Sequence, residues 1–257
     1  MTTLVRYVVS AGLATVTLDS PHNRNALSAQ LIAELVEALH SAAGDPAVRV
    51  IVVTHTGPVF CSGADLAQAA GSGPAGQPAA TMPALLQALW ESPKAVVGRV
   101  GGPARAGGLG LLAGCDIVVC AREATFAFTE VRLGVVPALI SATVLQRVQP
   151  TAARELFLTA EVFDGARAVS IGLANSAVPA ERLDDEVRRY VDMLLRAGPD
   201  ALAATKALLR RAPAPRPTAA DLEELSALSV RHFTSAEGQE GIAARREKRD
   251  ASWVPAG

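Results

Sequence analysis

"ARAGGLGLLAGCD", residues 104–116, decides how this chain is read. Gly107, Gly108 and Gly110 interrupt an apolar run that would otherwise continue as a buried helix, and each glycine is worse there than alanine by about 1 kcal/mol. Something must require bare backbone. The most literal explanation is a cofactor loop. Gly108-Leu109-Gly110-Leu111-Leu112-Ala113 fits GxGxxA, follows an expected strand, and is trailed by Glu130. Against it, the acid of a dinucleotide site should close the next strand, near Glu123. Two strands, a helix and a third strand also precede the glycines, whereas that fingerprint comes early in its domain. A plainer explanation is close packing, in which small residues let a helix press on a sheet.

A second stretch shifts the balance. "PVFCSGADL", residues 58–66, also ends a buried strand with a turn and starts a helix. Two strand-to-helix turns, each with unpaired amide N–H groups at a helix N-terminus, suit a site that holds negative charge developing on a carbonyl oxygen.

Outward from these turns the elements follow periodicity. Residues 4–9 and 13–18 read as strands joined at Gly12, and "SAQLIAELVEALHSAAG" from Ser28 as a capped amphipathic helix. "VRVIVVTHT" reads as a buried strand. "AQAAGSGPAGQPAATMP", from residue 67, has no charge and no periodicity and reads as a mobile surface loop. A helix to Trp90, strands "AVVGRV" and "DIVVC", and a short apolar "TFAF" follow. Strand, strand, helix recurs. From Ala138 onward the pattern is almost wholly helical, with a proline-rich break at 212–218. A boundary is placed near Pro199, giving a mixed core over 1–198 and a helical region over 199–257.

Composition narrows the function. Half of the 257 residues are hydrophobic, 19% are charged, and the net charge is −1, which argues against a nucleic-acid surface. No uninterrupted apolar run is long enough to cross a bilayer. The N-terminal stretch lacks a signal-peptide pattern, so a cytoplasmic location is expected. Cys61, Cys115 and Cys120 have neither paired nor metal-ligand spacing and read as buried free thiols. His22, His40, His55 and His232 are scattered, so no metal is expected. Ser62 lacks the GxSxG elbow of a serine hydrolase.

"FCSGADL", the glycine pair leading into "LLAGCD", and "FAFTEVRLGVVP", in this order and spacing, resemble the crotonase superfamily of enoyl-CoA hydratases and isomerases. The similarity runs from "PHNRNALS" at 21–28 to "EGIAARREKR" at 240–249. The resemblance implies an α/β fold, the ClpP-like spiral of strand-strand-helix repeats with a helical C-terminal trimerisation region. It also implies trimers stacked as hexamers and a coenzyme A thioester as substrate, with no separate cofactor. Carried over by position, the backbone N–H groups of Ala64 and Gly107 would form the oxyanion hole. Gly108 would allow close approach of the thioester, and Glu130 would be the acid-base residue. Ala26, Ser62, Asp65, Leu66 and Pro137 fall at substrate-binding positions. Arg24 in "NRNAL" and Lys248 in "EKR" match contacts to the nucleotide end of CoA, or are solvated charges.

The pattern also breaks. Relatives of the best-known type carry a second glutamate in the glycine helix, where this chain has Gly110. No Asp or Glu stands between residues 66 and 90, and Asp116 is expected to be buried behind the helix. The acid-base apparatus is therefore reduced to Glu130, unless that carboxylate merely pairs with Arg132 or another surface arginine. A lone carboxylate in a partly apolar pocket should have a raised pKa. It serves hydration or double-bond isomerisation, and its loss of a partner also fits a non-catalytic acyl-CoA binder. "TEVRLGVVPALIS" favours a hydratase, including those acting on branched or carboxylated enoyl-CoAs, and "PALIS" in place of a "PGAGG"-like turn argues for a differently shaped acyl pocket. Arg105 is expected either to meet a second carboxylate on the acyl chain or to reach solvent or a neighbouring subunit. At the CoA end, Arg245 stands in place of the usual phenylalanine and Ala67 in place of a lysine.

Overall fold

The computed structural model describes residues 2–71, 78–211 and 218–255. β1 (Val5–Ser10) and β2 (Leu13–Leu18) pair antiparallel through a tight turn at Ala11 and Gly12, both at positive φ. Alternation in β2 buries Ala14, Val16 and Leu18 and leaves the other face for solvent and neighbours. α1 (Ala29–Gly44) starts where the Ser28 hydroxyl accepts the Leu31 amide, and Leu31, Ile32, Leu35, Ala38, Leu39 and Ala42 form its buried stripe. β3 (Val50–His55) is buried over its first five residues, as a parallel strand covered on both faces must be.

Next come the short α2 (Leu66–Gly71) and α3 (Pro78–Glu91). The expectation of a structureless loop over residues 67–83 is thus corrected at both ends, and its middle, 72–77, lies outside the described residues. Asp65 accounts for α2: its carboxylate accepts the amides of Ala67 and Gln68, a cap that outweighs the missing periodicity.

β4 (Ala95–Val100), β5 (Ala104–Arg105), α4 (Gly107–Gly114), β6 (Ile117–Ala121) and β7 (Thr125–Ala127) follow in close succession. Beyond them lie α5 (Ala138–Val144), α6 (Pro150–Thr159), β8 (Phe163–Asp164), α7 (Gly165–Ser170) and β9 (Ser176–Val178). Among the described residues the main sheet has six strands in the order β1-β2-β3-β4-β6-β9, and a small second sheet has the order β5-β7-β8. The almost wholly helical expectation after Ala138 is qualified here by two short strands. β8 and β9 are two and three residues long, too short to show a period in sequence, and are held by pairing with β7 and β6.

The C-terminal helices are α8 (Leu183–Leu195), α9 (Pro199–Leu209), α10 (Ala219–Thr234) and α11 (Ala236–Glu247). α8 lays Leu183, Val187 and Val191 on the core at helical spacing. α9 is tied to the core by buried Lys206, whose ammonium lies 2.7 Å from the Asp116 carboxylate and also donates to the carbonyls of Leu89 and Lys94. Asp116 is exposed rather than buried, because this ion pair and its bond from the Val96 amide hold it at the rim. The break at 212–217 lies outside the described residues, and Thr218 with Asp221 forms a capping box for α10. No described helix is long and apolar enough to cross a membrane.

Candidate active site

The two turns singled out in sequence lie side by side. Cys61 and Ala104 form a parallel bridge: the Arg105 amide donates to the Cys61 carbonyl (2.9 Å), and the Phe60 and Cys61 amides donate to Pro103. Ala64 and Gly107 each stand three residues beyond that bridge, at the same level of the paired segments. On the first segment, a parallel bridge to Leu27 uses the Gly63 carbonyl and the Asp65 amide and leaves the Ala64 amide on the other side. Gly63 has φ +92°, and a Cβ there would meet the Ala106 Cβ at 3.0 Å, so only glycine lets the turns touch. On the second segment Ala106 takes φ 47°, ψ −119°, a conformation costing an L-residue of order 1–3 kcal/mol. It carries the chain directly into α4, where Gly107 is the first residue. Among the described residues, neither the Ala64 nor the Gly107 amide has a protein acceptor.

The small sheet brings in the acid. β5 and β7 pair with Arg105 opposite Ala127, and the Ala106 amide donates to the Ala127 carbonyl. The chain then runs past Phe128 into a 3-10 turn, Glu130–Leu133. Glu130 therefore enters from the strand that flanks the turn at Ala106 and Gly107. Its Oε2 is buried and has no hydrogen-bond partner, and burial raises its pKa above the ordinary carboxylate value. The surface ion-pair alternative is excluded for the described residues: Arg132 instead donates to the Thr159 carbonyl (3.4 Å).

Ala64, Gly107 and Glu130 line one cavity of about 220 Å³. Pro137 lines it as well, with Leu27, Ile32, Met82, Ala106 and the run Val135 to Ile140. Glu130 is the one ionisable side chain in this described lining. A larger hollow of about 690 Å³ lies at the far end of α4, around Cys115, Arg147 and Lys206, and contains none of the three. The smaller one is the functional candidate because it unites buried charge with unengaged donors.

The glycines of α4 have separate reasons. A Cβ on Gly107 would stand 2.9 Å from Leu27 Cδ1 and 4.0 Å from the Ala64 nitrogen, in the space beside both amides. A Cβ on Gly108 would come within 2.9 Å of the Cys61 Cβ, so Gly108 serves packing between the two turns and does not line the cavity. On Gly110 it would lie 2.5 Å from Ile140 Cγ2, and the space above that position is filled by α5. Close packing and access to main-chain donors both operate, at different residues.

Other positions fall outside the cavity. The Arg105 guanidinium is committed to the Ala104 and Thr125 carbonyls and the Thr125 hydroxyl, which turns it away from an acyl chain. Ser62 donates its amide to the Arg24 carbonyl, and Asp65 caps α2. Arg24 and Leu66 are exposed, and Ala26 is buried beneath the turn. Lys248, at positive φ, ends α11 and borders a separate hollow with Arg245 and Arg249. Burial pushes the Cys61 thiol up to about 12, so it is not a nucleophile. Sequence reasoning missed Leu27, Ile32, Met82 and Ile140, apolar residues indistinguishable in sequence from core. It also missed Asn25, which is fully buried and joins Ser20 to the carbonyls of Thr56 and Val59.

A sequence profile described as enoyl-CoA hydratase/isomerase matches residues 9–255. A Rhodobacter capsulatus protein named "Probable enoyl-CoA hydratase" is 35% identical over 248 residues, covering 95% of each chain. Among solved structures, an enoyl-CoA hydratase from Mycobacterium avium is 42% identical with TM-score 0.73, covering 98% of this chain and 100% of the other. One from Mycobacterium smegmatis is 29% identical with TM-score 0.90, covering 97% and 98%.

Proposed function

Because this chain belongs to the enoyl-CoA hydratase/isomerase family of the crotonase superfamily, we propose that it adds water across the 2,3 double bond of an enoyl-CoA thioester. The thioester oxygen sits between the amides of Ala64 and Gly107. Glu130 takes a proton from water as its oxygen bonds to the β-carbon, and the π electrons move through the α-carbon to the thioester oxygen. The enolate collapses by taking that proton from Glu130 at the α-carbon, so one water is added and the carboxylate is restored. The observation that carries this reading is the Glu130 oxygen, buried without a partner in a cavity it shares with two unengaged amides.

Isomerisation is the second reading, favoured by the lack of another polar side chain in the described lining. There Glu130 removes a proton at one carbon and returns it at another, and solvent deuterium enters without water addition. A non-catalytic binder would instead be stabilised against heat by CoA thioesters and form no product. Replacing Glu130→Gln and measuring steady-state turnover on crotonyl-CoA and a branched enoyl-CoA tests the mechanism. The expected loss is about 100-fold or more, and unchanged turnover on every active substrate removes Glu130 from it.

The CoA moiety is part of the substrate, and no other cofactor is invoked. Its nucleotide end is assigned to the Arg24 to Leu66 rim and to Lys248. Association through residues 199–257 into trimers or hexamers is part of the same reading. It is supported by α10, which buries no residue of its own and exposes Leu222, Val230 and Phe233.

A further inference from the structure

We propose that Ile140, locked over Gly110, is the specificity-determining residue of this cavity, limiting the length of the acyl chain it takes, and that the cavity favours uncharged acyl groups. The inference rests on the reading of the cavity as the acyl site and goes beyond it by naming the substrate class.

Ile140 is 3% exposed and projects from α5 onto α4, where its Cγ2, Cβ and Cα lie 2.5, 2.9 and 3.3 Å from the place of a Cβ on Gly110. The Thr143 hydroxyl, one turn on, donates to the Gly110 carbonyl at 3.0 Å and fixes the two helices in that register. A β-branched side chain in a helix has essentially one χ1 rotamer, so Ile140 cannot swing aside. The volume that a side chain at position 110 would occupy is therefore filled with hydrocarbon fixed from the neighbouring helix.

The remaining space sets length. Ile140, with Ala138 and Leu139 beside it, walls the cavity that the acyl chain would enter, so the bulk of its side chain limits the length of chain that fits.

The lining sets charge. Glu130 is the one ionisable group in the described lining, and residues 72–77, outside the described set, carry no charge in sequence. Arg105, the cation adjoining the oxyanion turn, is spent on Thr125 and Ala104. A second carboxylate on the acyl chain would be buried beside Glu130 with no cation to meet it, which is strongly unfavourable.

The test is a kcat/KM series on crotonyl-, 2-hexenoyl-, 2-decenoyl- and glutaconyl-CoA for the wild type, Ile140→Val, Ile140→Ala and Arg105→Ala, with hexanoyl- and decanoyl-CoA affinities measured by calorimetry. The wild type should favour crotonyl- and hexenoyl-CoA over glutaconyl-CoA by about 100-fold or more. Ile140→Ala should raise the decenoyl-to-crotonyl ratio about 10-fold or more, with Ile140→Val between. Arg105→Ala should leave the ranking unaltered. Equal use of glutaconyl- and crotonyl-CoA, or a chain-length ratio unmoved in both Ile140 variants, overturns the proposal. If no thioester is turned over, the hydratase reading fails on its own. Tighter binding of hexanoyl- than decanoyl-CoA, reversed by Ile140→Ala, then sustains the proposal, and no such preference, or no binding, overturns it.

Discussion

Adjacent glycines in one helix should fail in opposite ways. In Gly107→Ala the new methyl meets the tips of two side chains, Leu27 Cδ1 at 2.9 Å and Met82 Cε at 4.0 Å, both of which border an open cavity and can move. Stability should stay within about 1 kcal/mol of the wild type, helped by alanine's preference for helix. The methyl nevertheless occupies the space beside the Ala64 and Gly107 amides. Losing one oxyanion donor is worth about 2.7–4 kcal/mol, so turnover should fall about 100- to 1,000-fold. In Gly108→Ala the methyl meets the Cys61 Cβ at 2.9 Å and its carbonyl oxygen at 3.1 Å, and that carbonyl is held by the Arg105 amide. Overpacking against fixed backbone costs about 1–3 kcal/mol, or about 2–12 °C in Tm for a chain of this size. Thermal unfolding followed by circular dichroism, with kcat on crotonyl-CoA or the best thioester, separates the two. Gly107→Ala with turnover within about threefold of wild type, or Gly108→Ala melting at the wild-type temperature, refutes this division of labour.

Glu130→Gln should also stabilise the protein near neutral pH. Burial raises the Glu130 pKa above 4.5, so between the two values the native state holds more proton than the unfolded chain, and stability falls as pH rises through that window. The Tm advantage of the glutamine variant should be present at pH 7.5 and vanish below pH 4.5, whereas wild-type turnover, which needs the ionised base, should rise through the same raised pKa. Lys206→Ala leaves the carbonyls of Leu89 and Lys94 without their donor, while the exposed Asp116 carboxylate left behind can be met by water, and should lower stability by about 1–3 kcal/mol in a denaturant titration. Ser28→Ala removes the α1 cap and should cost about 1 kcal/mol by the same titration, with little effect on KM.

The strands and α1 were legible because their periods are long enough to see and their ends carry recognisable signals, Gly12 and Ser28 among them. β8 and β9 were not, since their positions are set by partners distant in sequence. α2 was hidden because its start depends on one Asp65 carboxylate rather than on a hydrophobic stripe. The pairing of the two turns could be inferred from matching chemistry, turn by turn. The commitment of Arg105 to Thr125 could not, since a guanidinium next to the Ala106–Gly107 turn reads the same in sequence whether it faces the cavity or a neighbouring strand. Gly110 was visible as a departure, but its cause, Ile140 on the next helix, is a contact made by the fold.

The most direct measurement is a crystal structure with a bound 3-hydroxyacyl-CoA or its enoyl precursor. The thioester oxygen should lie about 2.7–3.1 Å from the backbone nitrogens of both Ala64 and Gly107, with the Glu130 carboxylate over the β-carbon. A thioester seated in the larger hollow beside Lys206, or an oxygen out of reach of either amide, would contradict the account.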